Sequence, residues 1–294
     1  MLDFKVIEKS QIKDFKKYYD YSTALGCDLN VLNAYLWRNE YHIKFAIFEQ
    51  TLIKAYFHAD GTVWGYCMPT GKSVRNALYA IMDDAKERGI SPYMVMMTTG
   101  QRGMLESTFP SRFEYIRSPE NQDYIYVTEE LVTLAGKKFH AKRNHISKFY
   151  KTYSDAHFET LSSSNKPDAW RVVEEWCKEN SVDINNYEEA NVIREALEIG
   201  DDFDMRGAVL YVDKKPVAMT LGSEISPLVF DINFEKALRE YDGVYSVINN
   251  EFAKMLTSYK YINREEDMGL EGLRKSKLSY NPLIILDRFN AKLK

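Results

Sequence analysis

The spacing of hydrophobic and polar positions changes several times along this chain of 294 residues. Apolar side chains three and four apart from Ser10 to Tyr21, and again from Asn30 to Trp37, predict two helices. At Tyr41 the period drops to two and holds through Phe48. It resumes from Leu52 to Phe57 and, after the turn Asp60-Gly61, from Val63 to Met68, which predicts an antiparallel meander. An amphipathic helix follows from Ser73 to Arg88, closed by Gly89. Tyr93 to Met97 then reads as a buried strand, with shorter strands near Phe113 to Ile116 and Tyr124 to Val127.

The same order recurs beyond the polar stretch Ser162 to Lys166. Helices are predicted over Asp168 to Glu179 and Tyr187 to Ile199, and strands over Arg206 to Val212, Pro216 to Ser223 and Leu228 to Lys236. A helix from Gly243 to Ser258, a strand over Tyr259 to Asn263, a short helix from Leu270 to Ser279 and a strand over Leu283 to Leu286 complete the series. No residue-level repeat accompanies the recurrence, so duplication is inferred from element order. One domain usually holds ~100–150 residues, which makes two units the expectation. The predicted class is α+β or α/β, each unit a mixed, mainly antiparallel sheet flanked by helices. The units are placed at residues 1–130 and 131–294, the second opened by a basic linking helix over 131–151.

Composition narrows the function classes. The formal charge of −4 excludes a protein that coats nucleic acid over its whole surface, though it allows a local basic patch. Cys27, Cys67 and Cys177 are odd in number and widely spaced, which excludes a disulfide framework and a zinc site and fits a reducing, cytoplasmic setting. The opening residues Met1 to Lys5 lack an apolar signal core, and no run approaches the ~20 apolar residues of a membrane span.

Three segments carry candidate chemistry. Residues Gly136 to Lys151 hold six Lys or Arg with no acidic residue from Leu131 to Ser154, and phosphate is the natural partner of such a segment. A solvated helix face with Ile146, Phe149 and Tyr150 buried is the plainer account. His140 and His145 are five apart and do not share a helix face, so no metal is expected there. In the strand from Phe230 to Lys236, alternation places Phe230, Ile232 and Phe234 on one side and Asp231, Asn233 and Glu235 on the other. Asp231 or Glu235 could take a proton from an acceptor in acyl transfer, or simply wet the outer face of the sheet.

The third segment runs from Tyr261 to Pro282. Asn263, Glu265 and Asp267 share one side of an extended end, Gly269 and Gly272 permit a tight turn, and Arg274 and Lys277 fall on one helical face. Asp267 reads equally as a helix cap and as a catalytic carboxylate. Arg274 and Lys277 suit terminal phosphates or a carbonyl under attack. The pattern Asn263-Arg264-Glu265-Glu266-Asp267-Met268-Gly269, then Gly272-Leu273-Arg274-Lys275-Ser276-Lys277, then Ser279-Tyr280-Asn281-Pro282, resembles the soluble catalytic domain of phosphatidylglycerol lysyltransferases. That family, also described as domain of unknown function 2156 and related to Fem-type aminoacyltransferases, has two N-acetyltransferase-like units.

What the resemblance implies is transfer of an amino acid from charged tRNA to a small-molecule, peptide or lipid acceptor that the sequence does not name. Lys137, Lys138, Lys142 and Arg143 are then expected to contact RNA phosphate. Lys236, Asn263, Arg264, Arg274, Lys277 and Tyr280 are expected to bind substrate, and Asp231, Glu235 or Asp267 to assist proton transfer. The family pattern His-x-Glu-Lys-Ala appears here as Asn233-Phe234-Glu235-Lys236-Ala237, without the His. The loop Arg239 to Tyr245 has one residue too many, and Tyr245 in place of a small residue, for the pyrophosphate turn of coenzyme A-dependent acetyltransferases. Coenzyme A is therefore disfavoured and no resident cofactor is expected. Alternative expectations are a non-catalytic module that binds tRNA or another anion, and an acyl-CoA N-acyltransferase.

Overall fold

The computed structural model describes residues 1–19 and 24–294, which separate into two compact units. Unit 1 comprises Met1–Asp123, Glu266–Arg274 and Ile285–Lys294, and unit 2 comprises Tyr124–Glu265 and Lys275–Ile284. A single cut between residues 130 and 131 therefore does not describe the chain, because its C-terminal end returns to the first unit.

The chain opens with α1 (Ile12–Phe15) and α2 (Val31–Leu36), then β1 (Ile43–Phe48), β2 (Thr51–Phe57), β3 (Val63–Cys67), β4 (Thr70–Gly71), α3 (Val74–Glu87), β5 (Tyr93–Met97), α4 (Thr99–Thr108) and β6 (Phe113–Arg117). There follow β7 (Asp123–Val127), α5 (Thr128–Thr133), α6 (His140–Thr152), β8 (His157–Thr160), α7 (Lys166–Glu179) and α8 (Glu188–Ile199). The series ends with β9 (Arg206–Val212), β10 (Lys215–Ser226), β11 (Val229–Ala237), α9 (Val244–Met255), β12 (Tyr261–Asn263), α10 (Glu271–Leu278), β13 (Ile284–Leu286) and β14 (Phe289–Leu293).

The predicted first helix is broken. Only Ile12–Phe15 is α-helical, flanked by 3-10 turns at Lys9–Gln11 and Lys16–Tyr18, and its predicted last residues Asp20 and Tyr21 lie outside the described residues. Helix α4 is not visible in the hydrophobic pattern because Gly100 and Gly103 interrupt it. A capping box between Thr98 and Gln101 starts it instead.

The two sheets run β1-β2-β3-β5-β14-β6, with β4 on β2, and β13-β7-β12-β11-β10-β9-β8. Each contains an antiparallel meander, β1-β2-β3 or β9-β10-β11. After a helix, a strand returns parallel to the last strand of the meander, β5 on β3 and β12 on β11. Each sheet then accepts one antiparallel strand from the other half of the sequence. β14, at the C-terminal end, enters between β5 and β6, and β7, which follows the first unit's own strands, sits beside β12. This reciprocal exchange supports the inferred duplication. In unit 1 the core gathers Tyr66, Leu78, Ile81 and Met94; in unit 2 it gathers Tyr126, Phe139, Phe230 and Phe252 under one part of the sheet and Phe149, Val217 and Val247 under another.

Arg288 fixes the entry of β14. Its side chain is fully buried. Nη2 lies 2.9 Å from Asp123 Oδ1 and 2.5 Å from Asp28 Oδ1, and Nη1 donates to the Met96 carbonyl at 3.2 Å. Asp123 Oδ2 also accepts the Cys27 amide at 2.7 Å. Met96 has φ +59°, and its amide donates to Asn290 Oδ1 at 3.0 Å, so Arg288 and Asn290 together hold β5 at this kink. Gly26 has no alternative here, since a Cβ would stand 2.4 Å from Arg288 Nη2. Removing one member of a buried ion cluster leaves the rest uncompensated. Arg288→Met is expected to lower the unfolding free energy in urea by about 3–5 kcal/mol; a loss under about 1 kcal/mol would show that solvent reaches the two carboxylates.

Candidate functional site

Strand β11 does not alternate as its sequence implies. Leu221 faces Phe234 and Gly222 faces Ile232, so Asn233 is an extra residue, a β-bulge, opposite β10. The bulge inverts the side on which every later residue falls. Before it, Phe230 packs against Phe252 of α9. After it, Glu235 is the residue that reaches α9, accepting from Asn249 Nδ2 at 3.4 Å. Asp231 and Asn233 lie on the other side, where Asn233 donates to Asp231 at 3.1 Å and to Glu265 at 3.3 Å and accepts from Ser223 at 2.8 Å. Asp231 is fully buried. The expected pairing of Asp231 with Glu235 on one face is thus corrected, and Gly222 is the reason the bulge fits, since a Cβ there would meet the Asp231 carbonyl oxygen at 2.2 Å.

Glu235 anchors a constellation in which several predicted residues converge. Its Oε1 accepts from Arg264 Nη2 at 2.9 Å, and both side chains are about one-tenth exposed. The Arg264 guanidinium lies 4.9 Å from the Tyr280 ring centre and 5.9 Å from that of Tyr126. Burial opposes the arginine charge, while Glu235 and the two phenols hold its pKa above the usual value. The Lys142 ammonium sits 3.8 Å from the Tyr280 ring centre and forms no hydrogen bond among the described residues. Burial first, then Arg264, depresses its pKa to about 8, with Glu235 opposing. Burial raises the Tyr280 phenol, and that of Tyr126 is raised for the same reason.

Lys236 does not join them. On the face opposite Glu235 its ammonium donates to Glu189 at 2.8 Å and to the Tyr187 hydroxyl at 2.9 Å, 4.3 Å from the centre of the Trp176 ring. It secures α7 and α8 to the sheet.

The segment after β12 is likewise rearranged. Asn263 is fully buried, and its Oδ1 accepts the Glu265 amide at 2.7 Å, closing a turn at the strand end. Glu265 and Met268 adopt positive φ, +54° and +51°, so no extended face carries Asn263, Glu265 and Asp267 together. Asp267 is fully buried. It accepts Arg274 Nε at 2.8 Å, Arg274 Nη2 at 2.9 Å and the Gly269 amide at 2.8 Å, a local turn ahead of α10 closed by a bidentate ion pair. Lys277 is buried and donates to the Arg264 carbonyl, while the main-chain carbonyl of Lys277 accepts the Tyr126 hydroxyl at 2.8 Å. Arg274 and Lys277 therefore brace the turn rather than project a pair of cations from one face. Gly269 has φ +76°, whereas Gly272 lies inside α10.

Part of the basic segment is engaged by its neighbours. Lys138 pairs with Glu130 at 2.8 Å and Lys148 with Asp242 at 2.6 Å. Arg143 donates to the carbonyls of Leu134 and Gly136, closing the left-handed turn that ends α5. Lys137 and Lys151 stay exposed without an ion pair among the described residues. Two members of the site were not picked out from sequence. Tyr126 reads there only as part of a strand, and Asn249 only as part of the helix predicted from Gly243 to Ser258.

Residues 20–292 match the family model described as phosphatidylglycerol lysyltransferase, C-terminal. The chain belongs to this family. A conserved protein of unknown function from Bacteroides thetaiotaomicron VPI-5482 is 35% identical, covers both chains in full and superposes with a TM-score of 0.93. L-PGS from Bacillus licheniformis aligns over 98% of this chain and 92% of that one at 12% identity and a TM-score of 0.70. The C-terminal domain of a putative lysylphosphatidylglycerol synthetase from Agrobacterium fabrum aligns over 96% and 92% at 12% identity and a TM-score of 0.66. These two share the fold with this phosphatidylglycerol lysyltransferase C-terminal family member. An uncharacterised protein of Mycoplasmoides gallisepticum is 23% identical over 173 residues, and the match spans about half of that curated relative, 56% of its length. Among the described residues no helix is long and apolar enough to cross a membrane.

The bulge gives this site a direct test. Gly222→Ala forces the Asp231 carbonyl away and displaces Glu235, with an expected loss of about 1–3 kcal/mol from overpacking and a fall in any ligand affinity that depends on the Glu235–Arg264 pair. Unchanged urea unfolding would mean that the bulge can shift at no cost.

Proposed function

We propose that this protein is an aminoacyltransferase that takes its amino acid from charged tRNA and that the Glu235–Arg264 constellation holds the aminoacyl group. One observation carries the reading. Arg264 Nη1 and Asn249 Oδ1 are both buried and, among the described residues, both lack a hydrogen-bond partner, on either side of the same carboxylate. An unmet buried polar group costs about 1–3 kcal/mol, which a ligand returns on binding. An α-aminoacyl ester has the matching pair, a carbonyl oxygen for Arg264 and an ammonium for Asn249 and Glu235. As a nucleophile attacks that carbonyl, negative charge develops on its oxygen, and a fixed guanidinium in a poorly solvated setting stabilises it. The aromatic rings of Tyr126 and Tyr280 exclude water, and positioning supplies much of the rest.

On this reading Lys137 and Lys151 are the cations left to meet RNA phosphate. Coenzyme A fits less well. The amides of Arg239 and Glu240, ahead of α9, are held by the Glu179 carboxylate at 3.1 and 3.2 Å, and that negative charge opposes a pyrophosphate. A binding module without turnover is the second reading, favoured by Asn233 in place of the family His.

Incubation with radiolabelled aminoacyl-tRNA and a cell extract, with and without the protein, separates the readings. Protein-dependent movement of label is expected, and Arg264→Lys, which keeps a charge but removes Nη1, should reduce kcat/KM on the order of 10²–10³. tRNA binding with no movement of label would favour the binding module, and an unimpaired Arg264→Lys would remove Arg264 from the reaction.

A further inference from the structure

The basic segment was expected to meet RNA, yet one of its lysines is turned inward. Lys142 leaves α6 half-buried, and its amine reaches the Tyr280 ring rather than any carboxylate or carbonyl of the described residues. An ammonium has three donors, and a half-buried one that uses none of them on the protein is poorly compensated. The groups that face it are Arg264 beyond β12, Glu235 of β11, Tyr280 beyond α10 and, behind the guanidinium, Tyr126 of β7. Glu235 is already engaged by Arg264 and Asn249, so the nearest cation repels the Lys142 charge while the nearest anion is shared. Its helix neighbour Arg143 is turned away to the Leu134 and Gly136 carbonyls.

Resting on the transferase reading above, we propose that Lys142 is the proton acceptor of this site and not a phosphate anchor. Its neutral amine takes the proton released when the acceptor's amine or hydroxyl attacks the aminoacyl carbonyl. The new bond forms from that nitrogen or oxygen to the carbonyl carbon, the ester C–O bond to the tRNA terminal ribose breaks, and the proton passes from Lys142 to the departing ribose oxygen. No other reactant is consumed, and the amine returns to its neutral form. The pKa of about 8 fits this role, because a base works best when its pKa lies near the working pH. The sign follows directly: the neutral form is the active one, so the rate rises with pH and levels off once the amine has lost its proton.

Two measurements on the full chain test the assignment. The first needs no turnover: competitive labelling of lysines with acetic anhydride across pH, read by mass spectrometry of the peptide that carries Lys142. A midpoint near 8 supports the proposal, and a midpoint above about 10, the ordinary lysine range, overturns it. The second is the pH profile of single-turnover transfer. Wild type should gain about tenfold in rate per pH unit up to a plateau, and Lys142→Arg, which keeps the charge but cannot release a proton at these pH values, should lose on the order of a hundredfold with a flat profile and unchanged tRNA affinity. A rate within about threefold of wild type overturns the proposal, and so does weakened tRNA binding at an intact rate, the mark of a phosphate anchor. If wild type moves no label to any acceptor, the transferase reading falls and proton transfer falls with it, whereas a fully active Lys142→Arg would overturn the base assignment alone.

Discussion

A guanidinium buried away from water must be matched by carboxylates and hydrogen-bond acceptors, or the state that buries it will not persist. Arg288 is matched by Asp123, Asp28 and the Met96 carbonyl, groups far apart in sequence that meet only if the C-terminal strand threads between β5 and β6. The first unit's sheet is therefore completed by the last strand of the chain. In the stretch after β12, positive φ at Glu265 and Met268 is accompanied by local bonds, the Glu265 amide to Asn263 Oδ1 and the Gly269 amide to Asp267 Oδ1.

Within unit 2, one inserted residue decides where the charges go. The bulge at Asn233 carries Glu235 to the face of α9 and Lys236 to the face of α7 and α8, where each finds partners of opposite charge. Glu235 meets Arg264 in an aromatic setting, and the pair is unequal in its satisfaction, since Arg264 Nη1 keeps a donor with no acceptor. A purely structural ion pair this deep would be expected to have its hydrogen bonds met. The unmet donor, the unmet Asn249 oxygen and the inward Lys142 amine lie around one carboxylate, which is why this constellation rather than the more conspicuous Asp267–Arg274 pair carries the functional reading.

Several parts of the site were legible in the sequence. Glu235, Arg264 and Tyr280 were singled out, and they do converge. Arg274 and Lys277 were singled out for their charge, but charge does not say which partner it will find. The buried carboxylate of Asp267, ahead of α10, captures Arg274, and a backbone carbonyl captures Lys277. The basic segment was misleading for the same reason, because Glu130 and Asp242, outside the acid-free stretch, supply the counter-charges for Lys138 and Lys148. Asn249 and Tyr126 were missed as site members because an amide or a phenol in a helix or strand carries no spacing signal.

By itself the sequence determined much of the order of helices and strands, the two meanders, the mixed class of the sheets and the family motif from Asn263 to Pro282, because side-chain periodicity and turn chemistry are local properties; it left out α4, α5, β8 and β14. Only the tertiary structure decided that each sheet takes a strand from the other half of the sequence, that β11 bulges at Asn233, and that Lys142 points inward while Lys138 and Lys148 pair with carboxylates at the surface. These outcomes depend on which distant groups share a buried volume. There the cost of leaving a charge or hydrogen bond unmet outweighs any preference written into a short stretch of chain.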